Sequence, residues 1–153
     1  MKKLIFAGLA PLLWLTACNK DKYQTKPQIS IKSVSTDVVP INGSATFVLS
    51  YTDKEGDISD TLYVRKTRIN KTTVATVRDY IFYKIPDFPD YPKGEINVML
   101  DYQTILSAIT PPPIPGSNPP QPQPDTLNIK FWIKDKGGNI SDSVTAEKIV
   151  VIR

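Results

Sequence analysis

The sequence contains no histidine, and only one of its 153 residues is a cysteine. The absence of histidine removes the most common general base, the Ser-His-Asp type of triad and most zinc sites. A single cysteine cannot form a disulfide within the chain, so the fold must be held by its hydrophobic core or by a metal. Mainly carboxylates remain among the usual catalytic groups, and a carboxylate-based hydrolase is therefore less favoured than a protein that only binds.

Dense clusters of one charge are missing as well. The formal net charge is +4, of which Lys2 and Lys3 supply two charges at the N-terminus. Beyond these two, 17 basic residues face 15 acidic ones along the rest of the chain. Binding to nucleic acid depends on concentrated positive charge, so the sequence predicts no nucleic-acid partner.

The N-terminal segment combines a short positive start with a mostly apolar run at residues 4–15. This run is too short for a bilayer span, which needs about 20 apolar residues, but it is typical of a secretory signal peptide. It is followed by Leu-Thr-Ala-Cys, which resembles the bacterial lipobox, where a cysteine is lipidated and becomes the new N-terminus. We therefore predict a cleaved signal peptide at residues 1–17 and a membrane anchor on Cys18.

The residues after the cysteine predict a location and a domain boundary. Asn19 stands where an aspartate often retains a lipoprotein at the inner membrane, so the outer membrane of a Gram-negative bacterium is favoured. Residues 18–27 are the lipidated cysteine and a polar tether, and residues 28–153 form the folded domain.

This domain carries the pattern of an all-β protein. Short runs of β-branched and aromatic residues recur between turn-forming Gly, Pro, Asn and Asp, and no long segment has a helical period. About seven such runs at regular spacing predict an immunoglobulin-like β-sandwich. The predicted strands are 28–34, 44–52, 61–69, 74–85 (one long strand or two short ones), 95–101, 126–135 and 143–152.

A proline-rich segment interrupts this pattern at residues 111–124, of which eight are proline. Proline fixes φ and cannot donate to a strand ladder, so the segment is predicted to be a polyproline-like or disordered loop. A tolerated surface insertion is favoured over a docking ligand for a partner protein.

Three carboxylates, Asp53, Glu55 and Asp57, alternate in one turn that also contains a glycine. Ca²⁺ takes several carboxylate and carbonyl oxygens from flexible loops, and this spacing can supply them, although it is not that of an EF-hand. Asp135 and Asn139, in the connection before the last strand, are placed to complete the site from a second loop. The alternative is an acidic turn that only keeps a strand end soluble.

Trp132 is a second candidate binding residue. It alternates with Phe131 and Ile133, so it should face away from the core that those residues enter. An exposed tryptophan beside lysines is suited to stacking on a sugar ring or on a partner protein. The favoured alternative is that the proline-rich loop or a neighbouring strand covers it.

Two turn motifs resemble those of a group of short lipoproteins from Bacteroidota. Residues 51–58 read Y-T-D-K-E-G-D-I where the group typically has F-T-D-x-D-G-D-I, and residues 132–142 read W-I-K-D-K-G-G-N-I-S-D where it has K-D-x-A-G-N-x-S. Y-K-I-P at residues 83–86 is similar to a Y-x-x-P segment between them. Glu55 replaces the usual aspartate, and Gly137 replaces alanine. The resemblance implies an Ig-like or cadherin-like sandwich at the cell surface and assigns no activity.

These observations favour a non-catalytic binding or adhesion module, anchored in the cell envelope and stabilised by calcium, with a protein or glycan ligand. The alternative is a structural accessory subunit of an envelope protein complex.

Overall fold

The computed structural model describes residues 23–70, 78–105 and 111–153. The predicted signal peptide and the anchor residue Cys18 lie outside the described residues. No helix within the described ranges is long and apolar enough to cross a membrane. The elements of the described chain are β1 (Gln28–Val34), β2 (Val38–Val39), β3 (Ser44–Thr52), β4 (Thr61–Arg68), β5 (Arg78–Lys84), β6 (Lys93–Asp101), α1 (Tyr102–Ile105), β7 (Asp125–Lys134) and β8 (Val144–Val151).

The strands form two sheets that pack into a sandwich-like arrangement. One sheet has the order β1-β3-β6, and the other has the order β2-β8-β7-β4-β5. All neighbouring strands are antiparallel except β2 and β8, which are parallel. The prediction of a nearly all-β, two-sheet fold is thereby confirmed. The sequence reading missed β2, because two residues are too short to show a period.

Strict alternation of apolar and polar residues builds the core. Along β3 and β7, every second side chain is buried between the sheets, as the two-residue period of a strand requires. Phe47 of β3 and Phe131 of β7 meet from opposite sheets, with ring centroids 5.0 Å apart and planes tilted by 49°. Each buried aromatic or branched side chain contributes about 1.5–3 kcal/mol relative to leaving it in water, so this layer stabilises the sandwich.

Strand β4 departs from this rule at one end of the sandwich. Its inward positions begin with apolar residues but continue with Lys66 and Arg68, which are also buried. The Lys66 Nζ donates to the Thr104 carbonyl at 2.5 Å, and the Arg68 Nε donates to Asp125 Oδ1 at 2.8 Å. The Arg153 Nη2 donates to Asp125 Oδ2 at 2.7 Å, so one fully buried carboxylate joins two guanidinium groups. This end of the core is closed by ion pairs.

The proline-rich segment folds back on itself between α1 and β7. An isolated antiparallel bridge pairs Pro113 with Pro122, and the Ile114 amide donates to the Gln121 carbonyl at 2.7 Å. Gly116 adopts a positive φ of 78° at the tip, a conformation that glycine accepts without strain. The segment is therefore a hairpin-like loop with its own hydrogen bonds, which differs from the open polyproline stretch expected from its composition.

Candidate metal centre

Two loops meet at the end of the sandwich opposite the buried Asp125. The first follows β3 and begins with Asp53, and the second follows β7 and begins with Asp135. The Lys136 amide donates to the Asp57 carbonyl at 3.0 Å and ties the loops together. One carboxylate oxygen from each of Asp53, Asp57 and Asp135 lies within 4.8 Å of the other two. The fold thus joins three of the five residues predicted as calcium ligands.

The first loop is shaped by Asp53 itself. Its Oδ2 accepts hydrogen bonds from the amides of Gly56 at 2.7 Å and Asp57 at 3.2 Å, which closes a tight turn. Gly56 has a φ of +77°, and a Cβ atom there would lie 2.7 Å from backbone atoms of Tyr91. Glycine is required at this position both for the backbone conformation and for the space.

The second loop holds its carboxylate in a similar way. Asp135 Oδ1 accepts from the Asn139 amide at 2.7 Å, and Oδ2 accepts from the Asn139 Nδ2 at 2.9 Å. Asn139 therefore orients Asp135. Glu55 lies outside the three-carboxylate cluster: its side chain is exposed and accepts a hydrogen bond from Thr25 Oγ1 at 3.2 Å.

The cluster concentrates negative charge away from water. Asp53 is fully buried, Asp135 is 1% exposed and Asp57 is half-buried. Among the described residues, no lysine or arginine forms an ion pair with any of the three. The Asp53 Oδ1 atom is buried and has no hydrogen-bond partner in this part of the chain. A buried acceptor without a donor is costly, and three close carboxylates add repulsion.

The pKa of Asp53 reflects the same cost of burying a charged carboxylate beside two others. The pKa is raised to about 6: burial raises it most, the amides of Gly56 and Asp57 lower it, and the charges of Asp57 and Asp135 raise it. Because this pKa lies above the ordinary value of 3.8, the folded state binds more protons than the unfolded state between these two pH values. Without a cation, the contribution of Asp53 to stability therefore falls as the pH rises from about 4 to about 6.

The donor set matches a hard divalent cation. Ca²⁺ binds six to eight oxygens at about 2.4 Å, so two of its ligand atoms lie at most about 4.8 Å apart. The three carboxylate oxygens satisfy this limit. Carbonyl oxygens and water are the usual remaining ligands of such a site.

A second feature lies on the outer face of the five-stranded sheet. Trp132 of β7 points away from the core, is half-buried, and stacks on Tyr63 of β4 with centroids 5.3 Å apart and planes 2° from parallel. Phe82 of β5 meets Tyr63 edge to face, also at 5.3 Å. A side chain of the neighbouring strand thus covers one face of Trp132. Tyr63 and Phe82 were missed from sequence, because only the register between strands brings them beside Trp132.

Comparison with known proteins adds little to this geometry. No protein-family model matches the chain, and no curated protein matches it. Among solved structures, it is similar to the sporulation control protein Spo0M from Bacillus subtilis, with a TM-score of 0.43 and 12% sequence identity. The similarity covers 84% of this chain and 50% of that one, so this chain spans about half the length of the solved structure. A likeness at this level carries no inference about the site.

Proposed function

We propose that the chain is a lipid-anchored, non-catalytic binding module of the cell envelope whose loop end is organised by a calcium ion. The observation that carries the proposal is the buried Asp53 carboxylate, which faces Asp57 and Asp135 and keeps one oxygen without a hydrogen bond. A divalent cation bound there would accept this oxygen as a ligand and neutralise the cluster. The loops of the sandwich remain available for recognition.

The order of the strands supports the immunoglobulin-like part of the proposal. Consecutive strands cross between the sheets from β3 to β4, from β5 to β6 and from β6 to β7. Immunoglobulin-like domains distribute their strands over two antiparallel sheets through such Greek-key connections. The short strand β2 follows β1 in the chain but pairs with β8 of the other sheet, which is compatible with this layout.

The path of the chain before β1 supports an orientation in which the acidic cluster lies on the side of the anchor. The Gln24 carbonyl accepts from the Lys54 amide at 3.0 Å, and the Lys26 Nζ pairs with Asp142 at 2.7 Å. The segment that would lead from an anchored Cys18 therefore joins the domain beside the acidic cluster. In this orientation the calcium end lies nearest the membrane.

Calcium is expected to raise the melting temperature of the full chain, purified in detergent, relative to the same protein in chelator. A ligand at a hundredfold excess over its Kd stabilises the folded state by about 2.7 kcal/mol, which corresponds to roughly 10 °C for a domain of this size. Asp53→Asn and Asp57→Asn should each abolish the shift, because each removes a ligand. Calorimetry at pH 7.5 measures the shift directly.

The matched control is Glu55→Gln, which changes a carboxylate of the same loop outside the cluster. This variant should keep the full shift. The shift should shrink at pH 5, because protons compete with the cation for Asp53, whose pKa is about 6. Absence of any shift at millimolar calcium, or a full shift in both asparagine variants, would contradict the proposal.

Cys18→Ser is expected to move the protein from the membrane fraction to the soluble fraction of the cell envelope. Without the thiol no acyl chain is attached, and the polar tether has no affinity for lipid of its own. Asn19→Ser is the matched control and should remain in the membrane fraction. Fractionation followed by immunoblotting measures the distribution, and stable membrane attachment of Cys18→Ser is incompatible with a lipid anchor at this residue.

A further inference from the structure

The outer face of the five-stranded sheet carries an aromatic row between two cationic rows. The aromatic row is formed by Phe82, Tyr63 and Trp132, which lie directly opposite one another in the strand register. Neighbouring strands are about 4.8 Å apart, so the row spans about 10 Å across three strands. Phe82 is 63% exposed, which leaves an apolar surface in contact with solvent.

The row two residues further along the strands contains unpaired positive charge. Arg65 lies opposite both Tyr80 and Lys130. Within the described chain, neither Arg65 nor Lys130 forms an ion pair, and the buried Arg65 Nε has no hydrogen-bond acceptor. On the other side of the aromatic row, Lys134 pairs with Asp60 at 3.4 Å. In the row of Arg65, the uncompensated charge therefore lies on Arg65 and Lys130.

These two cations line a shallow depression of about 250 Å³. Thr67, Asn128 and Thr145 add polar groups to its wall, and the exposed Glu147 lies at the same depression. Its volume is below the usual range of pockets for complete small ligands, about 300–1,000 Å³, and suits one anionic group with part of a ring. The planar guanidinium of an arginine is well suited to hold a carboxylate through charge-assisted hydrogen bonds.

We infer that this face binds an acidic polysaccharide, with sugar rings against the aromatic row and a carboxylate in the depression beside Arg65 and Lys130. The inference rests on the proposed function only in treating the chain as a binding module, since the face is separate from the metal centre. A single-stranded nucleic acid fits less well. Such a strand is held by a positively charged groove that follows its backbone, whereas the depression offers two cations, Arg65 and Lys130.

The test uses a fluorescein-labelled oligogalacturonate and the full chain in detergent, with fluorescence anisotropy as the readout. Chelator is present throughout, so calcium cannot bridge the sugar to the protein, and the temperature is kept well below the melting point of the metal-free protein. The methyl-esterified oligogalacturonate is the matched ligand, because it has the same rings without the charge. The acidic form should bind about tenfold more tightly or better, and added salt should weaken it.

Two variants test the depression and the aromatic row independently. Arg65→Gln and Phe82→Ala should each weaken binding of the acidic form by about tenfold. Phe82 is the preferred aromatic variant because Trp132→Ala would also remove a stacking partner from the sheet. Lys32→Gln, on the other sheet, is the control for loss of one positive charge and should bind as the parent does.

Equal binding of the esterified and acidic sugars would overturn the inference, as would tighter binding of an oligothymidylate than of the acidic sugar. Unchanged binding in both Arg65→Gln and Phe82→Ala would also overturn it. Each variant is checked for an unaltered melting temperature and for its calcium response. A lost calcium shift with retained sugar binding would reject only the metal centre, and the reverse pattern would reject only the polysaccharide face.

Discussion

Replacing Asp125 with alanine is expected to lower the free energy of unfolding by about 3–5 kcal/mol. Asp125 is fully buried and accepts from Arg68 at 2.8 Å and from Arg153 at 2.7 Å. The Arg68 side chain is 1% exposed, so removing Asp125 takes a buried counter-ion away from a guanidinium charge in the core. The penalty is mostly the desolvation of that charge. Urea unfolding of the parent and the variant measures this difference in free energy, provided that both have the same m-value.

The matched control is Asp142→Ala, which breaks an ion pair of similar length at the surface. Asp142 pairs with Lys26 at 2.7 Å and is 94% exposed, so its loss should cost less than about 1 kcal/mol. The double replacement Arg68→Met with Asp125→Leu should recover much of the stability, because it removes both buried charges at once. If Asp125→Ala costs no more than Asp142→Ala, the buried network does not stabilise the fold.

The buried charges at this end of the core could not be predicted from the sequence. Apolar side chains alternate strictly along β3 and β7. The predicted bounds of β3, 44–52, therefore agree with the structure, and those of β7, 126–135, differ from it by one residue. The same period along β4 predicts Leu62 and Val64 as core residues but offers no reason to place Lys66 and Arg68 beside them. Their burial depends on acceptors distant in sequence, and no local pattern reveals which carbonyl or carboxylate will face a lysine or an arginine.

The candidate metal site also has some features that the sequence predicts and others that it does not. Asp53 and Asp57 are local in sequence, and a glycine between them is typical of a tight turn, so their proximity was predictable. The approach of Asp135 depends on the neighbouring ends of β3 and β7, which a two-sheet sandwich makes plausible from sequence. The separation of Glu55 from the cluster was not predictable, because a turn has no fixed period and each of its side chains finds its own direction.

The aromatic row can be predicted only when the register between the strands is known. Alternation alone predicts that Trp132 lies outside the core, but its neighbours Tyr63 and Phe82 belong to strands that pair with β7 directly or through β4. A shift of one residue in either pairing would move them to the opposite face of the sheet. The turn geometry that fixes such a register lies in long connections here, and their composition does not determine it.

Gly56→Ala is expected to cost about 3 kcal/mol and to abolish calcium binding together with it. A positive φ costs an alanine about 1–2 kcal/mol, and overpacking adds about 1–3 kcal/mol when the neighbour cannot move freely. Here the neighbour is the backbone of Tyr91, 2.7 Å from the position of the added Cβ. Any shift that relieves the contact also displaces the Gly56 amide, which donates to Asp53 Oδ2 and fixes the turn of the cluster.

Gly116→Ala isolates the two contributions. Gly116 has nearly the same φ, +78°, but nothing lies within 4 Å of an added Cβ, so only the conformational cost of about 1–2 kcal/mol should appear. This variant should keep the calcium-dependent melting shift, because the proline-rich hairpin is separate from the acidic loops. Equal destabilisation by the two substitutions would show that the Tyr91 backbone yields at no cost. A retained calcium shift in Gly56→Ala would show that the cation does not need the turn, and therefore that Asp53 reaches it by another geometry.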